Sequence, residues 1–278
     1  MPHDAARLPL ALGAWAALLA FVAGAAGLLW SAIYVPAVPP ALRSGAWSQD
    51  LVTLLAAPGL LVCDRLIRRG RPIAWLPWMG FVGYLIYAYG LYAFDRVVTP
   101  LFPLYVAILA LSTGAAVLFV RHVRPEAVRP AGPRPPPRRL AALLAALVLL
   151  FGTLWSAMLA PALATGIARD GHAIFVLDLA FALPLIAVGA GLLWRRHPLG
   201  DLFAVPALMK TGVLGLSVLI GTLVAPRWTG LPVDPAEVAL YALMGLGPLA
   251  LVPVFLRRLE VSDPGPLDPA QGAPTSGP

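Results

Sequence analysis

Eight long apolar segments dominate the chain and restrict the folds that it can adopt. Each is close to the twenty or so residues that a helix needs to cross a lipid bilayer. The chain is 60% hydrophobic and 12% charged, whereas a soluble domain carries roughly 25% charged residues. These features predict an all-α polytopic transmembrane helix bundle with about eight spans. The spans lie near residues 8–30, 49–66, 73–94, 101–120, 139–160, 173–194, 202–224 and 237–256.

The first apolar segment also has the pattern of a secretory signal peptide. Arg7 precedes an apolar core, which is followed by the small residues of 22–27, as in cleavable signals. The internal repeat described below pairs this segment with an internal helix. We therefore expect the segment to be retained as a span.

The arginine distribution predicts the orientation of the bundle. Fifteen of the nineteen arginines fall on one side of the predicted spans, and basic loops stay in the cytoplasm. This predicts that both termini are cytoplasmic, and the Ala-, Gly-, Pro- and Arg-rich composition suggests a bacterial cytoplasmic (inner) membrane. The basic charge then serves orientation and headgroup attraction, so the expected partner is the lipid bilayer and not nucleic acid. The four arginines on the opposite side are Arg43, Arg96, Arg169 and Arg227.

A weak internal repeat relates the two halves of the chain. The tetrapeptide at 29–32 recurs at 154–157, and Asp50-Leu51 recurs as Asp178-Leu179. Each half holds four predicted spans, and an even number preserves orientation, so the repeats would be parallel. We predict a four-helix repeat over 1–123, a Pro/Arg-rich cytoplasmic linker over 124–138, a second four-helix repeat over 139–258, and a disordered tail over 259–278.

The single lysine of the chain, Lys210, lies inside the seventh predicted span. An amine at the bilayer centre costs about 2.5–3.5 kcal/mol on insertion scales. Charged residues within spans mark functional sites more often than not, and they need a partner.

Asp178 is the predicted partner of Lys210. It lies in the sixth span, which a short loop joins to the seventh. The depths of the two residues differ by a vertical distance on the order of 10 Å, which a long lysine side chain or a water molecule could bridge. The alternative is that Lys210 snorkels to the cytoplasmic interface and Asp178 reaches outer water.

Asp50 and Tyr84 are weaker candidates for the same polar site. Asp50 corresponds to Asp178 in the repeat, but it also suits the start of the second span as a helix cap. Tyr84 lies near the repeat position of Lys210 and, like Tyr87, sits deep in the third span. The aromatic residues nearer the outer end are predicted to form an interfacial belt. They are Trp30, Tyr89, Tyr92, Phe94, Tyr105 and Trp155.

Four strings are similar to those of a group of uncharacterised bacterial polytopic membrane proteins. They are WSQDLVTLLAAP at 47–58, YLIYAYGLYAF at 84–94, LFPLYVAILALS at 101–112 and LDLAFALP at 177–184. This resemblance implies a helical membrane protein. It implies no activity and no functional residue.

The function that these features favour is transport of a small molecule or ion through an intramembrane Asp/Lys pair. The alternative is a non-catalytic scaffold, accessory subunit or sensor of the membrane. The chain has no H-E-x-x-H or G-x-S-x-G motif, so an enzyme is the less favoured class. Its single cysteine and scattered histidines predict neither a metal site nor a cofactor.

Overall fold

The computed structural model of the protein describes residues 3–95, 97–123, 128–130, 137–168, 170–257 and 259–261. The described chain is almost entirely helical. The helices are α1 (His3–Leu29), α2 (Pro40–Arg68), α3 (Trp75–Phe94), α4 (Phe102–His122), α5 (Pro137–Thr165), α6 (His172–Leu177), α7 (Leu183–Trp194), α8 (Pro198–Val224), α9 (Pro226–Thr229) and α10 (Pro235–Leu256). Short 3-10 turns cover Ser31–Tyr34 and Pro72–Ala74, and a π-helical segment, Asp178–Ala182, joins α6 to α7.

The predicted helix bundle is confirmed, and six of its helical stretches are long and apolar enough to cross a membrane. They are Ala6–Leu29, Phe102–His122, Arg138–Thr165, His172–Trp194, Pro198–Val224 and Pro235–Leu256. Helices α2 and α3 are not among them. Their roles as the second and third spans stay predictions.

Helix α8 is at the centre of the bundle and packs against α2, α3, α7 and α10. In its apolar window 56% of the residues are buried, against 11% in α5. Helix α1 packs against α2 and α4, and α3 packs against α4. Helix α5 lies at the edge, against α7. Most of the apolar surface of α5 is therefore not covered by the other helices.

Helices α8 and α10 cross with their backbones in direct contact. The crossing is formed by Gly215 and Gly245: a Cβ atom on Gly215 would lie 2.6 Å from the Gly245 nitrogen. Small residues are the usual means by which membrane helices approach closely. Any side chain at this point would push the two helices apart.

Helix α2 differs most from the boundaries predicted for the second span. Helix α2 begins at Pro40 and not near residue 49, because proline suits the first turn of a helix. Ser44 and Ser48, two polar residues in this earlier part of the helix, are both buried against the protein. Hydropathy alone could not include them, since they face other helices and not lipid.

Two segments predicted to be irregular form a short antiparallel pair. Val128–Pro130, from the linker, pairs with Leu259–Val261, from the start of the tail, and Val128 lies opposite Val261. The tail beyond 261 and the other linker residues up to 136 lie outside the described residues. The pair ties the linker to the chain that follows α10. Whether the halves are repeats stays a prediction.

Candidate functional site

The four candidate residues predicted from the sequence fall into two polar clusters. Asp178 and Lys210 belong to the first, which is built from α3, α5, the π segment and α8. Asp50 and Tyr84 belong to the second, between α2, α3 and the chain that precedes α2. The first cluster lies near the middle of α8, and the second lies closer to the end of the bundle where α3 and α8 finish. The arginines predict that this is the outer end.

The π-helical segment places Asp178 in the first cluster. At the end of the segment, the Leu183 N–H donates to the Asp178 carbonyl five residues earlier. Pro184 follows directly and has no N–H with which to continue the α-helical pattern. The extra residue per turn rotates the chain at Asp178, and such π segments are frequent at functional sites.

Two aromatic side chains donate hydrogen bonds to the Asp178 carboxylate. The Tyr87 hydroxyl lies 2.8 Å from Oδ1, and the Trp155 Nε1 lies 2.8 Å from Oδ2. Each oxygen therefore has its own donor, one from α3 and one from α5. These two donors compensate a carboxylate that is only partly buried.

Lys210 lies on the face of the same tyrosine. Its Nζ is 4.0 Å from the centroid of the Tyr87 ring, within the range of a cation–π interaction. No direct ion pair joins Lys210 to Asp178, although the carboxylate acts electrostatically on the ammonium group. Tyr87 therefore connects them, with its hydroxyl on the acid and its ring under the base.

This geometry alters the predicted Asp178–Lys210 contact. Instead of a direct or water-bridged pair, the two groups are joined through Tyr87. Lys210 is the thirteenth residue of the 27-residue helix α8, and its Nζ lies on the face of Tyr87 of α3. The sequence indicates only that Tyr84 and Tyr87 both lie deep in the third predicted span. It does not show which of these two tyrosines faces α8.

Trp155 is a site residue that sequence reasoning assigned to the interfacial belt. Its ring packs edge-on against Phe175, with centroids 5.4 Å apart, while its N–H reaches Asp178. The repeat-related Trp30 is 58% exposed, as an interfacial residue would be. The two tryptophans that the predicted repeat relates thus have different surroundings.

Trp155→Phe is expected to lower the free energy of unfolding by about 2 kcal/mol, because hydrogen bonds to charged groups contribute about 1.5–3 kcal/mol. Trp30→Phe is the matched control and should change stability by less than about 0.5 kcal/mol. Denaturant unfolding in detergent micelles, followed by circular dichroism, measures both. Equal losses would contradict the assignment of the Trp155 hydrogen bond.

The second cluster surrounds Asp50. This carboxylate is 1% exposed and accepts hydrogen bonds from Tyr34 at 2.7 Å and from Tyr92 at 3.2 Å. Burial and the nearby Asp50 charge raise the pKa of Tyr34, which precedes α2, above its ordinary value. Tyr34 therefore stays protonated and acts as a donor. The predicted capping role of Asp50 is wrong, because α2 begins ten residues earlier.

Tyr84 lies beside Asp50 and apart from Lys210. Its hydroxyl lies 3.1 Å from Thr53 Oγ1 and 3.2 Å from the backbone carbonyl of Gln49. Three of the tyrosines predicted to form the interfacial belt are buried inside the protein instead. Phe94 is 63% exposed, as that prediction requires. The three buried members are Tyr89, Tyr92 and Tyr105.

A cavity of about 570 Å³ opens at the same end of the bundle, between α2, α8 and α10. This volume is in the range of small-molecule sites. Its wall includes Leu91 of α3, Ile174 of α6 and Leu214 of α8. Tyr87, Asp178 and Lys210 each lie four residues, or about 6 Å along the helix axis, from one of these three. The first cluster thus lies one helical turn below the cavity.

The cavity wall is polar where α2 and α8 face each other. Ser44 and Ser217 line it, and both are at least nine-tenths buried. Among the described residues, no group of three or more His, Cys, Asp or Glu side chains could hold a metal ion. The lining also includes the acidic residues Asp95, Asp234 and Glu237, so it can offer a ligand both hydrogen bonds and negative charge.

Comparison with known proteins gave no match to a family model, to a curated protein or to a solved structure. The candidate site is therefore argued from its own geometry.

Proposed function

We propose that the chain is a multi-pass membrane transporter, or a permease-like protein, for a small molecule or ion. The observation that carries this proposal is the position of Asp178, Tyr87 and Lys210, one turn below a cavity that opens at one end of the bundle. Opposite charges held in a bundle interior, on neighbouring helices, are typical of substrate and ion pathways.

The proposed topology has eight spans with both termini in the cytoplasm of a bacterial cell. Helices α2 and α3 contain 29 and 20 residues, which gives lengths of about 43 and 30 Å. Both pack against α8 and against each other. Their polar side chains would therefore face protein, as the intramembrane position requires.

Tyr87 is the proposed gate between the cavity and the charged pair. A ligand or ion that enters from the cavity and binds Asp178 would displace the Tyr87 hydroxyl. Because the same ring contacts Lys210, the displaced tyrosine would also release the ammonium group. The π segment interrupts the α-helical hydrogen-bond pattern between α6 and α7. We therefore place there the bend by which these two helices would change their relative angle.

The test is flux through the purified chain in liposomes, with Lys210→Met and Asp178→Asn as the variants. Currents on a solid-supported membrane would be recorded after concentration jumps of Na⁺, tetramethylammonium, glycine and acetate. We expect a wild-type response to at least one probe. Each variant should reduce it by about tenfold or more, since the loss of ~1.5–3 kcal/mol corresponds to at least that factor.

The control is Asp64→Asn, because Asp64 pairs with Arg68 at the opposite end of α2, 2.7 Å away. This variant should keep the wild-type response. Unchanged flux in Lys210→Met and Asp178→Asn, in protein that elutes as the folded wild type does, would contradict the role of the pair. A wild-type chain silent to all four probes would contradict transport of these ligand classes.

A non-catalytic scaffold or accessory subunit is the second candidate, and the exposure of α5 favours it. This helix contacts mainly α7 and leaves Leu149 and Leu163 at 70% and 80% exposure. A partner helix could cover this face as lipid would. Co-purification of a stable partner, lost on deletion of 124–138, would support this function over transport.

A further inference from the structure

Among the described residues, the side chains that contact the Asp50 carboxylate offer hydroxyl groups and no charge. Its two oxygens accept from Tyr34 and Tyr92, and no basic side chain of the described residues contacts them. The other ionisable groups that face it are Tyr84 and Tyr89 of α3 and Tyr105 of α4. Each of these tyrosines interacts electrostatically with Asp50. Helix α1 contributes Gly27 at this level. The central helix α8 contributes no ionisable group here, because its Lys210 lies on Tyr87.

The Asp50 carboxylate has no free space on the side that faces α1. A Cβ atom on Gly27 would overlap the Asp50 carboxylate and would lie 2.5 Å from the Tyr34 hydroxyl. The rings of Tyr92 and Tyr105 stack at 4.7 Å, and those of Tyr34 and Tyr92 lie 6.1 Å apart. On that side, a space that cannot take a methyl group cannot take a hydrated or an organic cation.

A chain of hydroxyl groups leads from a loop to this carboxylate. Thr99, between α3 and α4, donates to Tyr105 at 3.4 Å. The hydroxyls of Tyr105 and Tyr34 are 3.3 Å apart, and Tyr34 donates to Asp50. Each hydroxyl can donate and accept. The chain can therefore pass a proton from group to group while every heavy atom stays in place.

We propose that Asp50 is a proton-binding site and that Thr99, Tyr105 and Tyr34 deliver the proton to it. On loading, Tyr34 gives its proton to Asp50 and receives one from Tyr105, which is refilled through Thr99 from water. The net change is one proton from water onto the carboxylate, whose charge goes from −1 to zero, with all three hydroxyls restored. If the proposed transport function holds, the ion coupled to transport is H⁺.

The test is infrared difference spectroscopy of the full chain in lipid, recorded between pH values at which it stays folded. Protonation of a buried carboxylate produces a carboxylic C=O band, and this band shifts in D₂O. We expect a pH-dependent band in the wild type that Asp50→Asn removes. The control Asp64→Asn replaces an acid of the same helix that is paired with Arg68, and it should leave the band in place. A titrating band that persists in Asp50→Asn, or the absence of any such band, would overturn the proposal.

Two further variants keep the carboxylate and test the route. Tyr34→Phe removes the direct donor, so the position of the band should change because the hydrogen bond to Asp50 is lost. Tyr105→Phe leaves Asp50 and its two donors in place but breaks the hydroxyl chain. It should slow the H/D exchange of the band without changing its amplitude. Exchange at the wild-type rate in Tyr105→Phe would overturn the route, and this test holds even if Asp50→Asn fails to fold.

Proton coupling is tested separately, with an imposed pH gradient across proteoliposomes. If the wild type responds to a probe, the gradient should drive that response, and Asp50→Asn should abolish the dependence on the gradient. A response that ignores the gradient would overturn the coupling. A titrating Asp50 band in a chain that moves none of the probes would leave the proton site intact and count against the transport function alone.

Discussion

Gly215→Ala is expected to lower the free energy of unfolding by about 3 kcal/mol or more, because over-packing a close contact costs ~1–3 kcal/mol and backbone cannot move aside as a side chain can. The added Cβ would lie 2.6–2.7 Å from the backbone of Gly245 and Met244. Helix α10 packs mainly on α8, so a wider crossing would loosen its principal attachment.

Thermal and denaturant unfolding in detergent micelles measure this loss. Gly152→Ala is the matched control: Gly152 is also within a helix, but a Cβ there would meet nothing within 4 Å. That change should be neutral or should stabilise the helix by up to about 1 kcal/mol. Similar stability of the two variants would contradict the direct backbone contact between α8 and α10.

Tyr87→Leu is expected to destabilise the protein by about 2.5–5 kcal/mol, because it removes a hydrogen bond to a charged group, which contributes about 1.5–3 kcal/mol, and a cation–π contact, which contributes about 1–2 kcal/mol. The leucine would leave Asp178 with only the Trp155 donor. It would also remove the ring on which the Lys210 ammonium lies. Both charges would then be less well compensated inside the bundle.

Tyr87→Phe separates the two contributions of this tyrosine. The phenylalanine keeps the ring under Lys210 and removes only the hydroxyl, so its loss should be about 1.5–3 kcal/mol. The remaining difference between the two variants, on the order of 1–2 kcal/mol, would report the cation–π contact. Equal stability of the leucine and phenylalanine variants would show that the ring does not stabilise Lys210.

The predicted helix positions agree best where the signal is local. Each of the six stretches that the structure confirms as long and apolar is a continuous run, so hydropathy along the chain is sufficient. The predicted second span begins at residue 49, later than α2, because Ser44 and Ser48 are polar residues that other helices bury. Hydropathy measures only composition and cannot include the neighbours that satisfy a side chain.

The candidate site was predicted in its charged residues and missed in its aromatic ones. Asp178 and Lys210 are conspicuous because a charge in an apolar segment requires compensation. Tyr92, Tyr105 and Trp155 were assigned to the interface, since aromatic residues near helix ends usually belong there. Their depth along the helices does not distinguish that belt from a buried cluster. The rotation of each helix does, and no single segment of sequence specifies it.

The sequence by itself determined that the chain is a bundle of apolar helices and that Asp178 and Lys210 need compensation, because both follow from the transfer free energies of individual residues. Only the tertiary structure decided how the compensation is achieved. Tyr87 bridges the two charges because α3 packs on α8 and the π segment turns Asp178 toward it. Asp50 is enclosed by phenols because α1 to α4 converge at Gly27, where only a glycine leaves space for the carboxylate.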